Sequence, residues 1–126
     1  MSNYAYVATR ARSRRSRLLP AEAYNQLLNL EHAEIARYIQ DLEYRREIDR
    51  YGSTLSGADL IETALVDNLA KDVGDFLSFS KGKLRDILHV YAEKYRIENL
   101  KNIVRGINQN MDKQNLERLV CPINDS

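Results

Sequence analysis

The side chains that could hold a metal ion or act as nucleophiles are few and far apart in this sequence. His32 and His89 are separated by 57 positions, and Cys121 is the single cysteine. A protein zinc site needs three or four ligands, and neither histidine has a second histidine or a cysteine at metal-binding spacing. We therefore expect neither a metal site nor any cofactor.

The sequence also gives no sign of a phosphate-binding loop or of a pair of catalytic carboxylates. The five glycines never form a GxxxxGK[ST] or GxGxxG motif, so nucleotide binding has no support. Glu43 and Glu47 lie at helical spacing, which is more typical of a solvated helix face than of an acid–base pair in a cleft. Because no nucleophile comes with a nearby base, the sequence predicts a protein that is not an enzyme.

Arginine is the one residue type that is concentrated in a single segment. Residues 1–17 contain five arginines and no acid, which leaves 14 basic and 18 acidic residues in the rest of the chain. Guanidinium groups bind phosphates and carboxylates alike, so nucleic acid, anionic lipid headgroups and an acidic protein surface are all admissible partners. The alternative is a solvated helix flank whose arginines pair with the acidic stretch from Glu31 to Asp49.

Length and composition favour one all-α domain over residues 1–126. The chain is 44% apolar and 29% charged, with only five Gly and two Pro, which is few for a loop-rich or all-β protein. Its longest uncharged run is nine residues at the start, far below the roughly 20 apolar residues of a membrane-crossing helix. Cys121 alone cannot form an internal disulfide, so we expect a reducing cytosol.

The apolar spacing predicts two long amphipathic helices and several shorter ones. Short helices are expected over Tyr4–Leu18, after Pro20, over His32–Gln40, over Tyr44–Tyr51 and after Asp112. Ser56 is expected to cap the first long helix and Ser80 the second. Each buried Leu or Ile contributes about 1.5 to 3 kcal/mol, so this long pair is expected to dominate the core.

Four ordered pieces of the sequence resemble one family, the stalk subunit known as C in archaeal rotary ATPases and as d in the vacuolar enzyme. Each piece is short, and the order of the set carries the resemblance. The first two are Tyr4-x-Tyr6 with Arg10, Arg12 and Leu18-Leu19-Pro20, and Ile35-Ala36-Arg37 with Tyr44–Ile48. The third and fourth are Leu55-Ser56-Gly57 with Asp59–Glu62 and Leu69-Ala70-Lys71, and Asn99-Leu100-Lys101 with Ile103 and Arg105-Gly106.

The resemblance implies a non-catalytic central-stalk component of an A/V-type ATP synthase or ATPase. Members of this family have three helical units arranged as a funnel between the membrane rotor ring and the central shaft, and they transmit torque. This chain would be the N-terminal unit, either as a fragment or as a naturally short protein. Rotor ring and shaft subunits are the expected partners, without nucleic acid or direct membrane insertion, on the cytoplasmic face of the membrane.

Arg10, Arg14 and Arg17 are the residues expected to contact another subunit under that resemblance. Two rival hypotheses remain open from the sequence. One is a small helical nucleic-acid module that uses the same arginines, although the acidic remainder of the chain would repel phosphate. The other is a partner-binding helical domain outside any ATPase.

Overall fold

The computed structural model describes residues 1–118 and 120–123, and these residues form seven α-helices and no β-strand. The helices are α1 (Tyr4–Arg15), α2 (Ala21–Leu27), α3 (His32–Gln40), α4 (Arg45–Tyr51), α5 (Gly57–Phe79), α6 (Gly82–Asn108) and α7 (Lys113–Arg118). Helices α5 and α6, with 23 and 27 residues, are the two long ones. The prediction of an all-α fold with two long helices and several short ones is confirmed.

Helix boundaries follow the apolar pattern with a few exceptions that have local causes. Helix α3 has the predicted bounds, whereas α1 ends at Arg15 instead of Leu18. Beyond Arg15 the backbone tightens, because the Arg17 amide bonds to the Arg14 carbonyl and the Leu18 amide to the Arg15 carbonyl, at 3.1 and 3.2 Å. Pro20 then follows in an extended conformation (ψ 159°) and excludes a continuous helix.

The C-terminal prediction is correct at one end of α7. The Asp112 carboxylate accepts a hydrogen bond from the Asn115 amide at 2.8 Å, which is the geometry of the predicted helix cap. Helix α7 ends at Arg118, and Val120 is not helical. The predicted extension over Leu119 lies outside the described residues.

The chain divides into two compact units. One unit contains residues 8–68; the other, which we call the hairpin unit, contains residues 1–7 and the segment from residue 69 onward. The division falls inside α1 and α5. A bilayer-crossing helix, which needs about 20 apolar residues, does not occur in the described part of the chain.

The 8–68 unit has an apolar core built by α3, α4 and the first half of α5. Its buried members are Ala36, Ile39, Ile48, Leu60 and Ala64. Three tyrosines, together with Leu55 and Ile61, pack around this cluster and are only partly buried: Tyr38, Tyr44 and Tyr51. Phenol rings suit this edge position because the ring is apolar while the hydroxyl stays in reach of water.

The hairpin unit is closed by the N-terminal residues rather than by the predicted serine cap. Ser80 was expected to cap α6, but its hydroxyl donates to the Phe76 carbonyl and so finishes α5. Asn3 bridges the turn instead: its Nδ2 donates to the Phe79 carbonyl at 2.7 Å, and its Oδ1 accepts from the Lys81 amide at 2.8 Å. The turn between the long helices is therefore held by residues that are far away in sequence.

Gly82 is the position where this closure requires a glycine. Its φ is +64°, a left-handed conformation that side chains with a Cβ rarely adopt. A Cβ there would lie 2.7 Å from Ser2 Oγ and 2.8 Å from the Ser2 backbone nitrogen. The residue thus provides both the turn and the room for the N-terminal segment.

The prediction that α5 and α6 dominate the core is wrong for α6. In α6 only Ala92 and Gly106 are buried. Most of its predicted apolar residues are exposed, and Val90 on the same helix is 74% exposed. In α5 the buried positions include Leu60, Ala64, Ala70 and Leu77, so that helix does supply core residues. An apolar stripe is buried only where other parts of the structure cover it, and one side of α6 has no such cover among the described residues.

Candidate interaction surfaces

The three arginines of the predicted contact surface lie at the end of α1. Arg10 and Arg14 are four residues apart on one side of the helix, and Arg17 follows two residues after its end. Arg10 is exposed, Arg14 is partly buried and the Arg17 side chain is half exposed. The structure therefore places the three residues in one short segment, with only two of them on the helix.

Arg17 also has a partner inside the 8–68 unit. Its Nη1 lies 3.5 Å from Glu43 Oε2, and both side chains are about half exposed. Glu43 belongs to the acidic stretch that the solvated-flank alternative named. An ion pair of this exposure is worth about 1 kcal/mol or less, so Arg17 could exchange Glu43 for another carboxylate at small cost.

Glu47 was expected on a solvated face, and the structure shows the opposite. Its side chain is only 2% exposed. Oε1 accepts from Arg46 Nη2 at 3.1 Å and from Asn68 Nδ2 at 3.4 Å, while Oε2 has no hydrogen-bond partner. The expectation failed because α4 turns this carboxylate toward α5, where Asn68 donates a hydrogen bond to it.

A second carboxylate, Asp67, joins the same two helices. Arg50 Nη1 lies 3.6 Å from Asp67 Oδ2, and the Asp67 side chain is largely buried. Burial, followed by the neighbouring Asp67 charge, raises the pKa of Tyr51 above its usual value. The Arg50–Asp67 ion pair and the hydrogen bond from Asn68 to Glu47 both cross from α4 to α5, so the arrangement is suited to holding these helices together.

Helices α5 and α6 enclose a small apolar cavity within the hairpin unit. Its volume is about 130 Å³, and it is lined by Asp72, Val73, Phe76, Leu77, Leu88 and Tyr91. At its rim the Tyr91 and Tyr95 hydroxyls lie 3.3 Å apart. This hydrogen bond, together with burial, raises the pKa of Tyr95 to about 12. The cavity is large enough for a small apolar side chain.

An amide clamp fixes the C-terminal segment to α6. Asn99 Nδ2 donates to the Cys121 carbonyl at 2.8 Å, and Asn99 Oδ1 accepts from the Cys121 amide at 2.7 Å. Cys121 is buried and is not part of a disulfide. Across residues 1–118 and 120–123, no three histidine, cysteine or acidic side chains come together in a way that could hold a metal ion.

Several exposed apolar residues of α6 lie along one side of the helix, where Glu93 separates Val90 from the others. They include Val90, Ile97, Leu100, Val104 and Ile107, which recur at intervals of three, four or seven residues. The arginines at the end of α1 and the exposed apolar side of α6 are therefore the two candidate interaction surfaces of this all-α protein.

The chain belongs to the ATP synthase (C/AC39) subunit family, whose sequence model matches residues 7–126. It is 40% identical over 116 residues to the C subunit of the A-type ATP synthase of Haloferax volcanii, covering 92% of this chain and 33% of that protein. No solved structure matches the chain.

Two further relatives carry the same name. The C subunit of the A-type ATP synthase of Methanosarcina mazei is 42% identical over 105 residues, which is 83% of this chain and 29% of that protein. The protein of that name from Archaeoglobus fulgidus is 35% identical over 119 residues, covering 94% of this chain and 35% of the relative. The chain therefore spans about a third of the length of the curated relatives that it matches.

Proposed function

We propose that this chain is a non-catalytic part of the central stalk of an A/V-type rotary ATP synthase or ATPase. In this role it links the membrane rotor ring to the central shaft and transmits torque during ion-coupled ATP synthesis or hydrolysis. The observation that carries the proposal is the family match over residues 7–126, together with relatives named as C subunits of A-type ATP synthases. The chain acts as one helical domain, on the cytoplasmic face of the membrane, without a cofactor.

The contacts inside the 8–68 unit support a role in transmitting force. The exposed Arg50 pairs with the largely buried Asp67 and so connects α4 to α5, and Asn68 donates to the Glu43 carbonyl and to the Glu47 carboxylate. Directional contacts of this kind fix how two helices lie against each other, which apolar packing alone specifies less strictly. A spacer that carries torque requires such fixed helix contacts and no catalytic group.

Arg10, Arg14 and Arg17 are proposed to meet a carboxylate-bearing surface of a neighbouring ATPase subunit. Arg10 and Arg14 share one side of α1, so a single acidic helix or strand edge can reach both. Guanidinium groups favour bidentate contacts with carboxylates, which gives such a surface orientation as well as attraction. Arg17 would join after releasing the half-exposed Glu43.

The test is retention of the chain on purified rotor ring and, separately, on purified central shaft subunits, with duplex DNA as a competitor. We expect retention on ring or shaft that DNA does not reduce. A double variant, Arg10→Glu with Arg14→Glu, should weaken retention at least about tenfold. The matched control is Arg12→Glu with Arg15→Glu, which makes the same charge change on the other side of α1.

Three outcomes would contradict the proposal in different ways. Equal losses in both double variants would show that net charge, and not the Arg10–Arg14 side, controls binding. Binding to DNA alone, falling steeply with salt, would favour the nucleic-acid alternative. Absence of retention on both ring and shaft would remove the stalk role from this chain.

A further inference from the structure

Helix α6 is apolar on two opposite sides, and only one of them is covered by described residues. The covered side includes Ala92 and Gly106, which are buried. The other side, which we call the outer face of α6, comprises Val90, Ile97, Leu100, Val104 and Ile107. All five are more than half exposed, and Leu100, for example, is 63% exposed. A helix that is apolar on two sides is typical of one that lies between two partners.

The outer face has the spacing of a helix–helix seam. Val90, Ile97 and Val104 recur every seven residues, and Leu100 and Ile107 repeat at the same interval, three positions later. This is the a/d pattern of a coiled coil, with β-branched residues at a and Leu or Ile at the second and third d positions, while the first d position is Glu93. From Val90 to Ile107 the seam is about 27 Å long, which matches one helix of about five turns.

Positive charge flanks this seam on both sides. Lys94 and Lys101 lie along one edge, and Arg96 lies along the other. The flanking positions between His89 and Asn108 contain no acid. Arg96 bonds to Glu93, and Lys101 lies 3.4 Å from Glu98, but these are exposed pairs within one helix, worth only a few tenths of a kcal/mol.

The flanking charges also argue against a second copy of this chain as the occupant. In a parallel pair of copies, Arg96 would lie opposite the second copy's Lys101. In an antiparallel pair, Lys94 would lie opposite Lys101. Both arrangements place like charges across the seam, which disfavours that pairing. A helix with carboxylates beside its own apolar seam meets the opposite condition.

We propose that the outer face of α6 is a docking surface for an amphipathic α-helix of a partner protein. The apolar seam of that helix is flanked by Asp or Glu. The apolar residues provide the affinity, and the basic edges select the partner and its direction. This proposal stands on the structure of the hairpin unit and does not depend on the stalk role.

The test uses the whole 126-residue chain and synthetic helical peptides of about three heptads, with Ile and Leu at the seam positions. One peptide has Glu at the flanking positions and the other has Lys at the same positions. Fluorescence anisotropy at low salt should show the Glu peptide binding at least about tenfold more tightly, and this preference should shrink as salt is added. Equal binding of the two peptides, or binding of neither, would overturn the proposal.

Variants of the chain then locate the binding site. Leu100→Gln and Val104→Gln should each weaken binding of the Glu peptide about tenfold, because each removes a central seam contact. The matched control is Leu28→Gln in the 8–68 unit, where Leu28 is 82% exposed and should not affect binding. The replaced side chains are all exposed, so circular dichroism should show unchanged helix content.

Charge reversal gives the strictest result. Lys94→Glu combined with Lys101→Glu should reverse the preference, so that the Lys peptide binds more tightly than the Glu peptide. An unchanged preference would overturn the proposed role of the basic edges. Light scattering measures whether the chain alone forms a dimer. A dimer that Leu100→Gln dissociates would mean that a second copy occupies the outer face, and this result would also overturn the proposal.

Discussion

Ile39 in α3 and Ile97 in α6 are the same residue type and both belong to the apolar pattern of a helix, yet Ile39 is 2% exposed and Ile97 is more than half exposed. In the 8–68 unit, α3, α4 and α5 cover one another, and even a carboxylate, Glu47, is buried among them. In the hairpin unit, no described residue covers the outer face of α6. Apolar residues are therefore buried where α3, α4 and α5 pack against one another, and they stay exposed where no described residue packs against α6.

The same substitution at Ile39 and at Ile97 should have very different effects on stability. Ile39→Ala should lower the free energy of unfolding by about 2 to 5 kcal/mol, because it removes buried methyl groups and leaves a cavity. Ile97→Ala should lower it by less than about 0.5 kcal/mol, because that side chain is already largely in water. Urea unfolding followed by circular dichroism measures both values. Similar losses would mean that α6 is covered in solution.

A substitution at the turn of the hairpin unit should have the next largest effect. Gly82→Ala should cost more than about 2 kcal/mol, since the left-handed backbone is strained by a Cβ and that Cβ would meet the backbone of Ser2. Gly57→Ala in the 8–68 unit is the matched control. Gly57 has a similar φ of +60°, but its nearest neighbouring atom, His32 Nδ1, would be 3.8 Å away.

The difference between these two glycine variants isolates the contact with the N-terminal segment. Gly57→Ala should cost about 1 to 2 kcal/mol from backbone strain alone. Thermal unfolding of both proteins gives the two values under one set of conditions. If the losses are the same, the N-terminal segment moves aside freely, and its closure of the turn contributes nothing to stability.

Removing the ion-pair partner of the buried carboxylate Glu47 should lower stability less than Gly82→Ala does, but more than removing the partner of an exposed carboxylate does. Arg46→Met should cost about 1 to 2 kcal/mol, because it removes the guanidinium beside Glu47 while the carboxylate stays buried. Arg46 is itself 59% exposed, which limits the loss. Arg45 lies 3.6 Å from Asp41, and both side chains are exposed. Arg45→Met should therefore lower the free energy of unfolding by less than about 0.5 kcal/mol in the same urea experiment. A larger loss for Arg45→Met would reverse this ranking.

The smallest expected effects concern two tyrosines, one in each unit. The pKa of Tyr95 is raised to about 12 first by its hydrogen bond to Tyr91, whereas the pKa of Tyr51 is raised first by burial. Tyr91→Phe should therefore lower the pKa of Tyr95 toward its usual 10.0. Asp67→Asn should lower the pKa of Tyr51 only in part, because burial remains. Tyrosinate absorbance during an alkaline titration measures both.

The pH dependence of stability follows from the direction of the Tyr95 shift. The folded protein holds the phenol proton more tightly than the unfolded chain does. Its contribution to stability is therefore fully present below pH 10.0 and is lost as the pH rises from 10.0 through about 12. In Tyr91→Phe this loss should be smaller, because the pKa of Tyr95 in the folded protein then lies closer to that in the unfolded chain. Unfolding curves in this pH range that are identical for the two proteins would contradict the assigned cause.

The sequence could predict the helices because their signal is local. Apolar residues at intervals of three and four marked α3 and both long helices, and Asp112 marked the cap of α7. The same periodicity shows which side of a helix is apolar, but it does not show whether the rest of the chain covers that side. For this reason the exposure of α6 was not predicted.

The residues whose surroundings were predicted wrongly are held by contacts with residues that are far away in the sequence. Glu47 was assigned to a solvated face because it lies at helical spacing from Glu43, but in the structure it is buried and bonds to Asn68, 21 positions later. Ser80 was predicted to cap α6 because it lies just before that helix. The turn is held instead by Asn3, which is 78 positions from its partner Lys81 and therefore has no local signal in the sequence. The contact role of Arg10, Arg14 and Arg17 stays a prediction.

The closure of the turn by Asn3 also sets an order of events during protein synthesis. Its hydrogen-bond partners at Phe79 and Lys81 are 76 and 78 residues further along the chain. Ribosomes add about 5 to 20 residues per second, so Asn3 emerges roughly 4 to 16 seconds before its partners do. The whole 8–68 segment is translated within that interval. The first unit can therefore fold on the ribosome, while the hairpin unit cannot be completed until its two distant pieces meet.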